Sequence, residues 1–92
     1  MTWFWEYDPD RRHVAEGLPA HVVAEVEQIA RQLVELAEVG VDVTDLGRGP
    51  DHGGSGGLRR FDLPGGGWML VLPLPRFERI EVVKVIPPLH HL

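Results

Sequence analysis

Residues able to do chemistry are concentrated in the second half of the chain. His90 and His91 are adjacent, and histidine titrates near neutral pH, so it can transfer protons. Arg59 and Arg60 point to opposite faces of an extended segment, so only one of them can line a given site. Lys84 lies in an apolar run, so its side chain either crosses the sheet face toward a site or extends into solvent from an edge of the sheet. The pattern fits proton transfer with anion contact, or else a solvated tail with surface charges.

Charge is distributed unevenly along the chain. Residues 1–46 carry ten Asp or Glu against three Arg, whereas residues 47–92 carry six Arg or Lys against four Asp or Glu. The net charge of −5 disfavours a tight, nonspecific binder of nucleic acid, which needs clustered positive charge. The basic second half still permits a local contact with an anion. The alternative interpretation is a solvated acidic helix beside a nearly neutral sheet.

The composition is that of one small globular domain, 1–92, with 43% hydrophobic and 25% charged residues. The chain has no cysteine, which excludes disulfides and thiolate metal sites and favours the cytoplasm. The first residues do not form a signal peptide. No apolar run approaches the ~20 residues that span a bilayer, so we expect no membrane contact.

The first half of the chain predicts one strand followed by one long helix. Residues 2–8 alternate in strand-favouring types, and their aromatic face is expected to pack under the helix. The alternative is that this face forms a stacking platform for bases or a groove for an antitoxin. That face consists of Trp3, Trp5 and Tyr7. Apolar residues recur at helical spacing through 19–39, which predicts an amphipathic helix packed on a core. Gly40 is suited to the position after its end.

The second half predicts three closely spaced strands. They are residues 58–63, 68–74 and 79–86. The last of them is apolar on both faces, which is typical of a central or doubly covered strand. The expected architecture is therefore α+β, with one long helix packed on a mostly antiparallel sheet of about four strands.

The glycine-rich segment 47–57 reads GRGPDHGGSGG and predicts a mobile loop. It lacks the Lys-Ser/Thr ending of a phosphate-binding P-loop and does not open a helix. The preceding residues, 41–46, fit either a short strand or a helical turn. His52 offers a metal site together with His90 and His91, but adjacent histidines on an extended tail point apart, so we expect no metal.

The order of elements and the GLRR run at 57–60 resemble the RelE/ParE toxin superfamily. In that family the strand after the loop commonly begins with a Gly-Leu-Arg-like run. The last strand often ends with a lysine or a short functional tail, where Lys84, His90 and His91 fall here. The resemblance implies a cytoplasmic toxin of a type II toxin–antitoxin system, neutralised by a cognate antitoxin protein.

The resemblance also implies two possible targets. RelE-like members cleave messenger RNA on the ribosome without a metal or other cofactor, whereas ParE-like members act on DNA gyrase. In the cleavage reaction the 2′-hydroxyl attacks the adjacent phosphate, which requires a base, an acid and cations. Trp68 stands where a strand arginine is found in some members, and an indole can stack on a base. The resemblance assigns to catalysis Arg59, Arg60, His90 and His91, and to substrate binding Trp68, Lys84 and His52.

The chain departs from the family pattern in one further respect, because Asp51 is the only acidic residue in the loop before the last three strands. The departures favour an alternative, a non-catalytic protein-binding module of the same fold that either has a gyrase-type target or is a degenerate toxin. A structural or regulatory α+β protein is a third interpretation. A double-stranded RNA-binding domain would require a basic terminal helix, which the chain lacks. The oligomeric state stays open.

Overall fold

A computed structural model describes residues 2–49 and 57–89 of the chain. The described elements are, in order, β1 (Phe4–Tyr7), α1 (Arg11–Ala15), α2 (Ala20–Glu38), β2 (Arg59–Asp62), β3 (Trp68–Leu74) and β4 (Arg79–Ile86). Two short 3-10 turns lie at Val43–Asp45 and Pro75–Phe77. The predicted α+β class, with one long helix and four strands, is confirmed.

The four strands form one mixed sheet in the order β1-β4-β3-β2. β2 pairs antiparallel with β3 and β3 antiparallel with β4, but β1 pairs parallel with β4. The sheet is therefore mixed, with two antiparallel pairings and one parallel pairing. A parallel pair needs a long crossover connection, and both helices and the β2–β3 hairpin lie between β1 and β4 in the chain. β4 lies between β1 and β3, as its two apolar faces predicted.

The long helix packs one apolar stripe against the sheet. It begins after Pro19 and ends at Glu38, one residue inside each predicted bound. Gly40 has a φ of +94°, which suits the left-handed conformation that ends many helices. The buried stripe consists of Val22, Val26, Ala30, Leu33 and Ala37. Among the described residues, no helix is both long and apolar enough to cross a membrane.

The aromatic face of β1 contributes to the core beneath the helices, as predicted. Tyr7 is buried, and Trp3 and Trp5 pack against the core cluster. The rings of Trp5 and Tyr7 meet edge to face, with centroids 5.1 Å apart. The Tyr7 hydroxyl donates to Oε2 of Glu27 on α2 at 2.9 Å, which gives this buried polar group a partner.

The segment between β1 and the long helix is more ordered than the sequence indicated. Residues 11–15 form the short helix α1, which is capped by Asp10: its Oδ1 accepts from the His13 backbone N–H at 2.9 Å. Farther on, residues 43–45 form a 3-10 turn, which selects the helical-turn interpretation of that segment.

A tight glycine turn joins β2 to β3. The backbone N–H of Leu63 donates to the carbonyl of Gly67 at 3.0 Å, and Gly67 has a φ of +78°. A Cβ at Gly67 would lie 2.3 Å from the carbonyl oxygen of Ile86. Only glycine fits this approach, so the turn sets the position of Trp68 beside the end of β4.

Candidate functional site

The helices cover one face of the sheet, and the opposite face carries most of the sequence-predicted site residues. Burial alternates along β3: Met69, Val71 and Pro73 are buried toward the helices, whereas the residues between them are half-buried on the other side. We call this second side the open face. Its central residues are Arg60, Asp62, Trp68, Leu70, Leu72, Leu74, Arg79, Glu81, Lys84 and Ile86.

A row of side chains with two cations crosses the open face. Arg60 on β2 is directly opposite Leu70 on β3, and Leu70 is directly opposite Lys84 on β4. We call these three residues the cationic row. Neighbouring strands lie about 4.8 Å apart, so the two cations project from backbone positions about 10 Å apart. Lys84 is exposed and has no carboxylate partner among the described residues.

Arg60 stacks on Trp68 next to this row. Its Cζ lies 4.5 Å from the centroid of the Trp68 ring, which is a cation–π contact. Its Nε is enclosed without a hydrogen bond and lies 3.4 Å from Oδ1 of Asp62. The Arg60 side chain is 40% exposed, so an anionic ligand can reach it.

Arg59 lies on the helix side of β2 and has a different environment. The residue is only 4% exposed. Its Nε donates to the carbonyl of Leu46 at 2.7 Å, and its Nη2 donates to the carbonyl of Gly47 at 3.0 Å. The guanidinium thus holds the segment before β2 against the core. Of the two adjacent arginines, Arg60 is the one that the fold places on the open face.

The opposite end of the open face places two carboxylates around one guanidinium. Nη2 of Arg79 lies 3.1 Å from Oε2 of Glu81, and its Nε lies 3.5 Å from Oε1 of Glu6. The Arg79 guanidinium also lies 5.5 Å from the ring centroid of Phe77. These two carboxylates more than neutralise Arg79, so the positive charge of the open face is concentrated at the cationic row.

A shallow depression adjoins Trp68 where the chain leaves β4. It is lined by residues 65–68 of the glycine turn and by residues 86–89. Pro88 is buried there against Gly66. His52, His90 and His91 lie outside the described residues, so their assigned roles remain predictions. Most of the predicted loop, residues 50–56, also lies outside them.

Sequence reasoning missed one residue beside the cationic row, Arg48. Nη2 of Arg48 forms a close ion pair with Oδ2 of Asp62. Arg48 also pairs with Arg60 through two backbone hydrogen bonds of 2.9 and 2.7 Å. We interpreted the glycine-rich segment as a loop, but its first residues pair with the edge of β2. The only sequence signal was that Arg48 is the one cation in that segment.

Acidic and histidine side chains do not gather elsewhere in the described part of the chain in a way that would bind a metal. No group of three or more His, Cys, Asp or Glu residues there is placed to share an ion. Comparison with protein-family models, with curated proteins and with solved structures gives no match for this chain.

Proposed function

We propose that this protein is a RelE/ParE-like toxin of a type II toxin–antitoxin system and that its open face binds single-stranded RNA. The observation that carries the proposal is the convergence of Arg60, Trp68 and Lys84. Three residues assigned from the sequence, which lie on three different strands, meet on one face of the sheet. Element order and the GLRR run supply the family resemblance.

The residues of this face suit a single strand of RNA in distinct ways. Arg60 and Lys84 offer cations for two phosphates on either side of Leu70, and arginine can bond a phosphate through two N–H groups. The indole of Trp68 offers a surface on which a base can stack, a contact worth about 1–3 kcal/mol per base. Binding of this kind tolerates many sequences and weakens with salt.

The reaction that we propose is metal-independent cleavage of messenger RNA on the ribosome. The 2′-oxygen attacks the adjacent phosphorus and the bond to the 5′-oxygen breaks, which leaves a 2′,3′-cyclic phosphate and a 5′-hydroxyl. A base must accept the 2′-hydroxyl proton and an acid must protonate the 5′-oxygen. His90 and His91 are the sequence-predicted groups for these transfers, and Arg60 stabilises the charge on the phosphate. A cognate antitoxin would neutralise the protein.

A second candidate function is binding to a protein target without catalysis. Leu70, Leu72 and Leu74 form an apolar line along the open face, which suits a protein surface better than an RNA strand. Arg59 lies on the helix side and is engaged with backbone carbonyls, so it adds no cation to the open face. A gyrase-type target is the version of this function that the family resemblance implies.

Inducible expression in a bacterial host, with growth and messenger RNA integrity followed together, tests both functions. Growth arrest with RNA cut at ribosome-bound codons is the result we expect. Arg60→Gln and Lys84→Gln should relieve the arrest, whereas Arg76→Gln removes an exposed cation away from the cationic row and should not. Arrest with intact RNA would select the protein-binding function. Normal growth with confirmed soluble protein would overturn both functions.

A further inference from the structure

Two arginines next to the cationic row share one carboxylate. Arg48 and Arg60 are directly opposite each other, because they exchange both backbone hydrogen bonds of an antiparallel pair. Side chains of such a pair lie on the same face with their Cβ atoms about 5 Å apart. Like charges in this arrangement repel each other, so the pair requires an anion nearby.

Asp62 supplies that anion in the protein as it stands. One of its oxygens, Oδ2, pairs with Nη2 of Arg48, and the other, Oδ1, lies 3.4 Å from Nε of Arg60. The carboxylate therefore bridges the two cations on the open face, directly opposite Trp68 across the β2–β3 pairing.

The side chains of this bridge are accessible to solvent, apart from the enclosed Nε of Arg60. The exposed fractions of the Arg48, Asp62 and Arg60 side chains are 64%, 57% and 40%. Exposed ion pairs contribute little to stability, so a ligand anion can replace the carboxylate at small cost. A phosphate is larger and carries more acceptor oxygens than a carboxylate, and it would meet two guanidinium groups at once.

We propose that Arg48 and Arg60 form a phosphate-binding site that Asp62 occupies in the ligand-free protein, and that a phosphate of single-stranded RNA displaces the carboxylate. This inference rests on the proposed RNA-binding function and adds to it one binding residue, Arg48, and one competing residue, Asp62. The competition lowers RNA affinity and favours strands that also stack on Trp68.

The test is the affinity of the full chain for a labelled single-stranded oligouridylate, measured by fluorescence anisotropy over a range of salt concentrations. Asp62→Asn should bind roughly fivefold tighter, because it removes the competing charge and keeps the side-chain shape. Glu38→Gln changes the net charge equally at the exposed end of α2 and should change the affinity less than twofold.

The role of Arg48 is tested by combining variants. Arg48→Gln should weaken binding and reduce the salt slope by about 0.7, the value for one phosphate contact on a single strand. In the Asp62→Asn background the same substitution should remove most of the gain in RNA affinity, because the carboxylate competes with RNA for Arg48. Thermal unfolding of each variant checks that the fold is retained.

Three results would overturn the inference in distinguishable ways. If Asp62→Asn binds RNA as the wild type does or more weakly, Asp62 orients Arg60 instead of competing with the ligand. If Arg48→Gln leaves both affinity and salt slope unchanged, the second arginine is not part of the site. In both cases binding that still depends on Arg60 and Lys84 leaves the proposed function intact. Absence of RNA binding in the wild type and in Asp62→Asn would overturn both this inference and the proposed RNA-binding function.

Discussion

The guanidinium of Arg59 donates to the backbone carbonyl of Leu46 across the start of β2, with Nε and the oxygen 2.7 Å apart. A second bond to the carbonyl of Gly47 joins the same group to the next residue. These bonds give Arg59 a positioning role, because they hold the segment from which Arg48 reaches the open face. The adjacent Arg60 projects to the other side and is available for a ligand.

Arg59→Lys should destabilise the fold and impair RNA binding only indirectly. A lysine cannot bond both carbonyls in the planar geometry of a guanidinium, and a buried acceptor without a donor costs about 1–3 kcal/mol. Chemical denaturation should show this loss, and Arg76→Lys at an exposed position is the matched control. Unchanged stability together with lost binding would instead make Arg59 a ligand-binding residue.

Lys84→Gln should reduce the salt dependence of RNA binding. Removing one phosphate contact lowers the slope of log affinity against log salt by about 0.7 for a single strand. The measurement is an oligouridylate titration at several salt concentrations, with Arg76→Gln alongside. Equal slopes for the wild type and Lys84→Gln would place the strand elsewhere on the surface.

Trp68→Leu should weaken RNA binding without a large change in the salt slope. The substitution keeps an apolar side chain at the start of β3 but removes the stacking surface and the cation–π contact with Arg60. A loss of about 1–3 kcal/mol in binding free energy corresponds to one base–aromatic stack. Trp3→Leu, on the helix side of the sheet, is the control that should leave affinity unchanged.

Tyr7 should make the protein less stable in alkali. Burial, and then its hydrogen bond to Glu27, raise the pKa of the Tyr7 phenol above its ordinary value near 10.0. Because the folded state holds this proton more tightly, its stabilising effect is complete below pH 10 and declines as the pH rises above that value. In the Tyr7→Phe variant the loss of stability with rising pH should be smaller. The measurement is chemical denaturation from pH 8 to 11, a range that spans the ordinary tyrosine pKa of about 10. An identical decline in the variant would assign the effect to other groups.

Asp10 should make the short helix α1 sensitive to acid. The side-chain and backbone hydrogen bonds with His13 lower the pKa of the Asp10 carboxyl below its usual 3.8. A depressed pKa stabilises the folded form above the ordinary value, and that contribution is lost as the pH falls through the lowered pKa. Amide exchange at His13 should therefore increase in strong acid. Asp10→Asn keeps a capping side chain but removes the titrating carboxyl group. In that variant, amide exchange at His13 should not show the same increase in strong acid.

The sequence alone predicted the elements whose apolar residues recur at a regular spacing. The helical spacing of apolar residues located α2 to within one residue at each end. The opposite orientations of Arg59 and Arg60 followed from the extended backbone alone. These properties are local, so a short window of sequence determines them.

Other features depend on contacts between distant parts of the chain. The parallel pairing of β1 with β4 and the bridge between Arg48 and Arg60 both join residues far apart in sequence. The pairing of Arg48 with Asp62 spans fourteen positions, and no periodic pattern indicates it. The α1 helix was missed because a five-residue helix is too short to show an apolar period.

The placement of β4 between β1 and β3 has a consequence for synthesis of the protein. During translation β1 has no sheet partner until residues 79–86 have been made, because it pairs with β4. Such long-range pairing slows folding, and the aromatic residues of β1 stay unpaired with the sheet in the meantime. A nascent chain thus carries its N-terminal strand and long helix well before the cationic row can assemble, because that row is complete only when Lys84 on β4 has been made and has paired with Leu70 on β3.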